Sequence, residues 1–330
     1  MKRPSLRLSG MFHPRRALGI DVGNANIKIV EVSGGKTPML HRFAIYPTPR
    51  GSIENGIVIR PADIADAIRK AHIMGGFKSK KIATAITGQT LMLRHLTLPA
   101  MPKSDLKQVI GWQMESFIQM SKETTLADFI LHSEDEAKGI EVTLIAMPGE
   151  PVRNFIAFLE ECDFLVSRFE IEPLAVLRVV KLCYGEVIDK GNHVTVDYGS
   201  RNAIVNIFRN SLLMVSRVLP IGGFDFSRAV MVGENIDFQS AEELKILHGF
   251  GEDTPISRHI QLVALQLAES IATTLESFLS EWPNEQIDAV YLFGGNGLLP
   301  GVTKHLEKYF RITIKKYAID FHEVCSDMRD

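Results

Sequence analysis

At 330 residues the chain is long for one core and suits two domains, and 45% hydrophobic with 23% charged residues is the composition of an ordinary soluble globular protein. A net charge of -2 gives no reason to expect nucleic acid, whose binding rests on clustered Lys and Arg. The three cysteines, Cys162, Cys183 and Cys325, have no metal-ligand spacing and fit a reducing compartment, and no apolar run reaches the ~20 residues that cross a bilayer.

Residues 1–16 carry Lys2, Arg3, Arg7, Arg15 and Arg16 without an acidic residue and without the apolar stretch of a signal peptide, so they read as a solvated basic tail. An apolar strand then runs from Leu18 into Asp21, breaks at Gly23 through small or polar residues, and resumes at Ile27. A carboxylate at the end of a buried strand, followed by a tight turn, suits a metal-bound phosphate: the Asp faces the cation and backbone N–H groups face the anion. Gly23 lets that backbone come close. A single Asp-x-Gly also occurs in ordinary hairpins.

A third strand is expected over Met39 to Tyr46 and a loop over Pro47 to Gly56. Pro61 opens a helix with Ile64, Ile68 and Ala71 on its apolar face, and Gly75-Gly76 stops it. Lys81 to Thr87 reads as a strand leading to Gly88. Between 91 and 170 the spacing predicts strand, helix, strand, strand, helix, strand: a small α+β insert. Its parts are strands at Leu91 to Leu98, Thr125 to Ser133 and Ile140 to Met147, a helix from Ser104, a second from Pro151, and an acidic turn at Glu134 to Glu136. An apolar helix, Pro173 to Tyr184, leads to the second half.

That half repeats the opening. Val194-Thr195-Val196-Asp197-Tyr198-Gly199 is again strand, Asp, one residue, Gly, and a polar turn through Ser200, Arg201 and Asn202 precedes a second strand. A third strand runs from Leu212 to Leu219. Two meanders that each begin with Asp-x-Gly and are each followed by helices read as an internal duplication, whose two turns could close on one ligand. Ile221-Gly222-Gly223 follows, then a helix from about Phe226. Ser240 is expected to cap the next helix, with Glu243 completing a capping box. Glu242 and Lys245, one turn apart, form at simplest a surface ion pair. A long helix over Ile256 to Trp282 has an apolar stripe suited to packing on a sheet. The buried strand Ile287 to Phe293 ends in Gly294-Gly295-Asn296-Gly297, where bare backbone can lie against a ring or a phosphate, and Arg311 to Lys316 is the last strand. The glycine spacing fits neither a P-loop nor the dinucleotide fingerprint.

The succession of Asp21-x-Gly23, Asp197-x-Gly199 with Ile-Gly-Gly and Ala-Glu-Glu-Leu-Lys behind it, and Phe-Gly-Gly-Asn-Gly-Leu-Leu-Pro-Gly near the end resembles the actin-like ATPase superfamily, and within it the PilM family of type IV pilus assembly. The resemblance covers about Leu18 to Lys316. It implies an α/β actin-like fold of two duplicated lobes, clasping ATP and Mg2+, with an FtsA/PilM-type insert in the first lobe. The implied domains are a tail at 1–16, a first lobe at 17–90 and 171–191, an insert at 91–170, a second lobe at 192–317 and a tail at 318–330. FtsA itself ends in an amphipathic membrane helix, and the last residues here show no such face.

Carried over motif by motif, the resemblance implies Asp21 and Asp197 as magnesium and catalytic carboxylates. Gly23, Asn24, Ala25, Asn26 and Lys28 would form the first phosphate loop, and Gly199, Ser200 and Arg201 the second. Gly222, Gly223, Glu242, Lys245, Gly294, Gly295, Asn296 and Gly297 would receive the nucleoside side. Active ATPases have Asp-x-Gly-Gly-Gly-Thr at the second loop; here Ser200 and Arg201 replace two glycines and the Thr is missing, which implies at most slow hydrolysis. The implied role is a cytoplasmic scaffold peripheral to the inner membrane and serving twitching motility. It would bind the N-terminal cytoplasmic segment of a PilN-like membrane protein and other pilus assembly platform proteins. The alternatives are a small-molecule kinase of the same fold, for which the insert offers Asp105, Asp128 and Asp135, none in a turn built to hold a catalytic Asp, or a filament-forming actin homologue.

Overall fold

Alternation of buried and exposed side chains sets the first hairpin: β1 (Arg16–Val22) buries Leu18 and Ile20, and β2 (Asn26–Ser33) buries Ile27 and Ile29. The computed structural model describes residues 16–34, 38–54, 56–86, 91–117, 124–135, 139–251, 253–310 and 314–316. The basic segment 1–15, Gly88, Glu136, residues 311–313 and the tail 317–330 lie outside the described residues, with the expectations placed on them. The described residues form two compact units, one built from 16–84 with Ile156–Phe169, the other from Ala85–Phe155 and 170–316.

In the first unit β3 (Met39–Pro47) completes the meander. The stretch read as loop holds a short hairpin, β4 (Ile53–Glu54) with β5 (Ile57–Val58), turned at Gly56 where φ is +77°. Helix α1 (Pro61–Met74) starts with Pro where no N–H is needed and buries Ile64, Ala67, Ile68 and Ala71. Gly75 ends it, its N–H donating to the Ala71 carbonyl at 3.0 Å. Strand β6 (Lys81–Ile86) then lies parallel to β1.

The second unit contains the three-stranded sheet β7-β9-β8, from β7 (Met92–Leu98), β8 (Thr125–Asp135) and β9 (Gly139–Pro148). Helix α2 (Lys103–Phe117) packs on it through Leu106 and Ile110, which share a core with Leu98, Ile140, Val142 and Leu144. After α3 (Gly149–Glu161) comes β10 (Leu165–Ile171). The sequence order placed this last strand with the insert. It pairs with β6 instead, and the first sheet reads β10-β6-β1-β2-β3. The Leu165 N–H donates to the Lys80 carbonyl at 2.8 Å, a pairing between strands far apart in sequence that periodicity does not reveal.

Helix α4 (Glu172–Tyr184) and a 3₁₀ turn lead to β11 (Asn192–Tyr198), β12 (Ala203–Arg209) and β13 (Leu212–Leu219). Three helices follow: α5 (Gly223–Glu234), α6 (Phe238–His248) and α7 (Pro255–Glu281). Strand β14 (Ala289–Phe293), a 3₁₀ turn at Gly295–Leu298, α8 (Val302–Phe310) and β15 (Ile314–Lys316) complete the sheet β13-β12-β11-β14-β15. By length and composition α7 could cross a bilayer, yet its stripe of Ile260, Leu267, Ile271, Leu275 and Phe278 is buried in the core of this sheet with Val194, Val196 and Val205.

Two local expectations are corrected. Asp237, not Ser240, caps α6: its carboxylate accepts from the N–H groups of Gln239 at 2.8 Å and Ser240 at 3.1 Å. Asp caps as well as Ser does and stands earlier in the chain, so the helix starts there. Helix α5 likewise begins at Gly223, where the Asp225 carboxylate accepts from the Gly222 N–H at 2.9 Å.

The duplication is visible in the pairing. Each sheet has an antiparallel meander whose first strand lies parallel to a later one. Both meanders carry a register shift between second and third strands, at Glu31/Val32 and at Ile207/Phe208, the same distance past Asn26 and Asn202.

Candidate functional site

The two Asp-x-Gly turns have one geometry. The Gly23 N–H donates to the Asn26 carbonyl at 3.1 Å, and the Gly199 N–H to the Asn202 carbonyl at 3.0 Å. A Cβ on either glycine would lie 2.9 Å from that same carbonyl oxygen, so glycine is required by the turn itself. Asp21 and Asp197 each stand one residue before the end of the first strand of their hairpin.

In the first unit, Lys28 Nζ is 2.7 Å from Asp21 Oδ2, with the two side chains 51% and 62% exposed. Thr48, which the sequence did not single out, clamps the turn: its Oγ1 donates to the Gly23 carbonyl at 2.7 Å and its N–H to the Ala25 carbonyl at 2.9 Å. Only the pairing of Asn26 with Pro47 brings it there. Asn24 Oδ1 is buried without a hydrogen-bond partner among the described residues, an acceptor in want of a donor.

In the second unit two segments converge on the turn. The N–H groups of Gly223 and Phe224, at the start of α5, donate to the carbonyls of Gly199 at 3.0 Å and Ser200 at 2.7 Å. A Cβ on Gly222 would stand 2.6 Å from the backbone nitrogens of Arg201 and Asn202. From beyond β14, Asn296 Nδ2 donates to the Gly199 carbonyl at 2.7 Å. Gly294 has φ +80° and passes so close to Asp197 and Tyr198 that no side chain fits. Gly295, Asn296 and Gly297 form the 3₁₀ turn that follows. Arg201 places its guanidinium 5.3 Å from the centre of the Phe224 ring.

Glu242 and Lys245 are not a surface pair. The Lys245 side chain is 3% exposed, and its amine donates to both Glu242 oxygens at 2.8 Å and to the Gly223 carbonyl at 3.3 Å. Ser227, also missed in the sequence, donates to Gly223 at 3.0 Å and bonds Glu242. Burial pushes the lysine pKa down, against the pull of the Glu242 carboxylate. Spacing made the pair visible; its burial depends on where α5 lies.

Thus Asp197, Gly199, Ser200, Arg201, Gly222, Gly223, Glu242, Lys245, Gly294 and Asn296 are brought together by hydrogen bonds and close approach, and Asp21, Gly23, Asn24, Ala25, Asn26 and Lys28 gather at the other turn. The profile of the type IV pilus assembly protein PilM family matches residues 19–323. The chain belongs to that family. A PilM–PilN type IV pilus biogenesis complex contains a chain similar to this one at TM-score 0.78 and 25% identity, covering 92% of this chain and 88% of that one. The ethanolamine utilization protein EutJ of Carboxydothermus hydrogenoformans is similar in fold at TM-score 0.56 and 16% identity, covering 92% and 85%. MreB5 of Spiroplasma citri, solved bound to AMPPNP, gives TM-score 0.55 at 13% identity, covering 92% and 91%. In sequence, the cell division protein FtsA of Streptococcus pneumoniae is 19% identical over 91% of this chain and 75% of its own length. The fold is that of the actin-like ATPases, as the motif order implied.

Proposed function

We propose that this protein is an ATP-binding scaffold of type IV pilus assembly that holds the N-terminal cytoplasmic segment of a PilN-like inner-membrane protein. The observation that carries the reading is family membership over 19–323 together with likeness to a chain of a PilM–PilN complex. The protein works on the cytoplasmic side, attached to the inner membrane through this partner and other platform proteins.

The chemistry of both turns suits ATP with Mg2+. Asp21 and Asp197 are the carboxylates that would hold the metal, and Asn24 Oδ1, without a donor among the described residues, is an acceptor still open in the first turn. Gly23, Asn24, Ala25, Asn26, Lys28, Gly199, Ser200 and Arg201 receive the phosphates. Gly222, Gly223, Glu242, Lys245, Gly294, Gly295, Asn296 and Gly297 receive the nucleoside. Bound magnesium neutralises phosphate charge, while Lys28 is pre-held by Asp21 and needs no search for its position. Side chains at Ser200 and Arg201 take the place of bare backbone, so hydrolysis is slow and ATP acts as a ligand that shifts conformational populations.

The test has two arms. A synthetic peptide of the PilN N-terminus, immobilised, should retain the protein, and no retention with or without ATP sinks the scaffold reading. ATP with Mg2+ should raise the melting temperature of the wild type and leave Asp21→Ala unmoved; an equal rise in the variant removes the assigned metal site.

A further inference from the structure

Away from the two turns, a half-buried polar chain joins the three-stranded sheet to β13. Thr143, on the central strand β9, is 1% exposed and lies between two imidazoles. Its Oγ1 is 2.8 Å from His95 Nδ1 on β7 and 2.7 Å from His132 Nε2 on β8. The other nitrogen of His95, Nε2, is 3.4 Å from the Met214 carbonyl on β13.

The protons follow by elimination. A carbonyl oxygen only accepts, so His95 carries its proton on Nε2 and donates to Met214. Neutral His95 then offers a bare Nδ1, which accepts the Thr143 hydroxyl proton. With that proton committed, the Thr143 oxygen accepts from His132, whose proton is therefore on Nε2. Every bond points the same way, from β8 through β9 and β7 to the backbone of β13. Burial lowers both pKa values and so favours the neutral rings; the Met214 carbonyl and Glu281 oppose this at His95, while the neighbouring His95 reinforces it at His132 and Glu141 opposes it.

We propose that this chain is a two-proton latch, pinning β7 and β8 to the central strand β9 while its histidines are neutral and loosening them when both are protonated. The first proton is tolerated. His95 charged at Nδ1 donates to Thr143, Thr143 turns its hydroxyl to His132, and His132 moves its own proton to Nδ1. The second proton has no such remedy: two imidazolium donors then face one hydroxyl oxygen, the Thr143 proton loses its acceptor, and two like charges flank a buried atom. Because both folded pKa values lie below the ordinary imidazole value, the latch contributes stability above that value and loses it as pH falls toward the lowered ones. The likeness to pilus assembly proteins plays no part in this inference.

Imidazole nitrogen NMR on the full chain at about pH 8 should show the Nε2–H tautomer for both rings, titrating as a coupled pair on acidification. Amide exchange corrected for its intrinsic pH dependence should lose protection in Met92–Leu98 and Thr125–Asp135, roughly tenfold for each unit separating folded from unfolded pKa. His132→Gln supplies an amide that donates or accepts after a flip and never charges, so both strands should stay protected. Equal loss in His132→Gln, or unchanged protection in the wild type, overturns the latch. Should the variant not fold, the wild-type spectra decide: an Nδ1–H tautomer at His95, or two independent titrations at the ordinary value, rejects it.

Discussion

Lys245 and Lys28 each meet a carboxylate at hydrogen-bond distance, at 2.8 Å and 2.7 Å, and physics separates them. Lys245 is out of water and Lys28 is half in it. Removing the first leaves Glu242 and the Gly223 carbonyl short of a donor in a dry place, whereas removing the second exposes a carboxylate that water solvates. Lys245→Ala should therefore lower stability by about 2–4 kcal/mol, the range for breaking a buried pair reduced for the partial exposure of Glu242. Lys28→Ala should change it by less than about 1 kcal/mol while weakening the melting shift that ATP gives. Urea midpoints read both, and equal losses in the two variants would contradict the distinction. The spacing of Glu242 and Lys245 was legible in the sequence, as were both Asp-x-Gly turns. Thr48 and Ser227 were not, because each reaches its turn through a pairing or helix packing that no local pattern encodes.

At the scale of elements, the start of α5 and the second turn are one packed object. A methyl on Gly222 would press on the backbone of Arg201 and Asn202, which cannot swing aside as a side chain could. Gly222→Ala should cost about 1–3 kcal/mol and also displace the turn, so the ATP-dependent melting shift should fall with it. A variant as stable as the wild type with full nucleotide response would show that the contact is slack. Helix α6 offers a pH test. The Ser240 hydroxyl and amides hold the Asp237 carboxyl below its ordinary pKa, so its contribution is present above the unfolded value and disappears as pH falls through the folded one. Asp237→Asn should keep the helix capped and remove that acid dependence; a variant with the wild-type slope would exclude Asp237 as its source. The stripe of α7 was readable because its period is local. The place of β10 was not, since a strand's partner depends on the far side of the sheet.

In the molecule as a whole, two sheets of matching order each have a core of their own, one around Ile27, Ile29, Ile64 and Ile68, the other around Val194, Val205, Ile260 and Leu267. Unfolding in urea should accordingly proceed in more than one step. Fluorescence from Trp282, which packs on the second core, and far-UV circular dichroism should give separate midpoints; coincident curves would mean the units melt together. The duplication was legible as a repeat of Asp-x-Gly and meander, and the shared bulge makes it a repeat of backbone as well.

Asn296 ties its amide to Gly199 across a sequence separation of 97 residues. On a ribosome the segment around Gly199 leaves the tunnel long before that amide exists to secure it. The complete set of ties on this turn is therefore among the last features the nascent second half acquires, and a polypeptide halted before β14 would emerge with its carboxylate in place and its turn held by α5 alone.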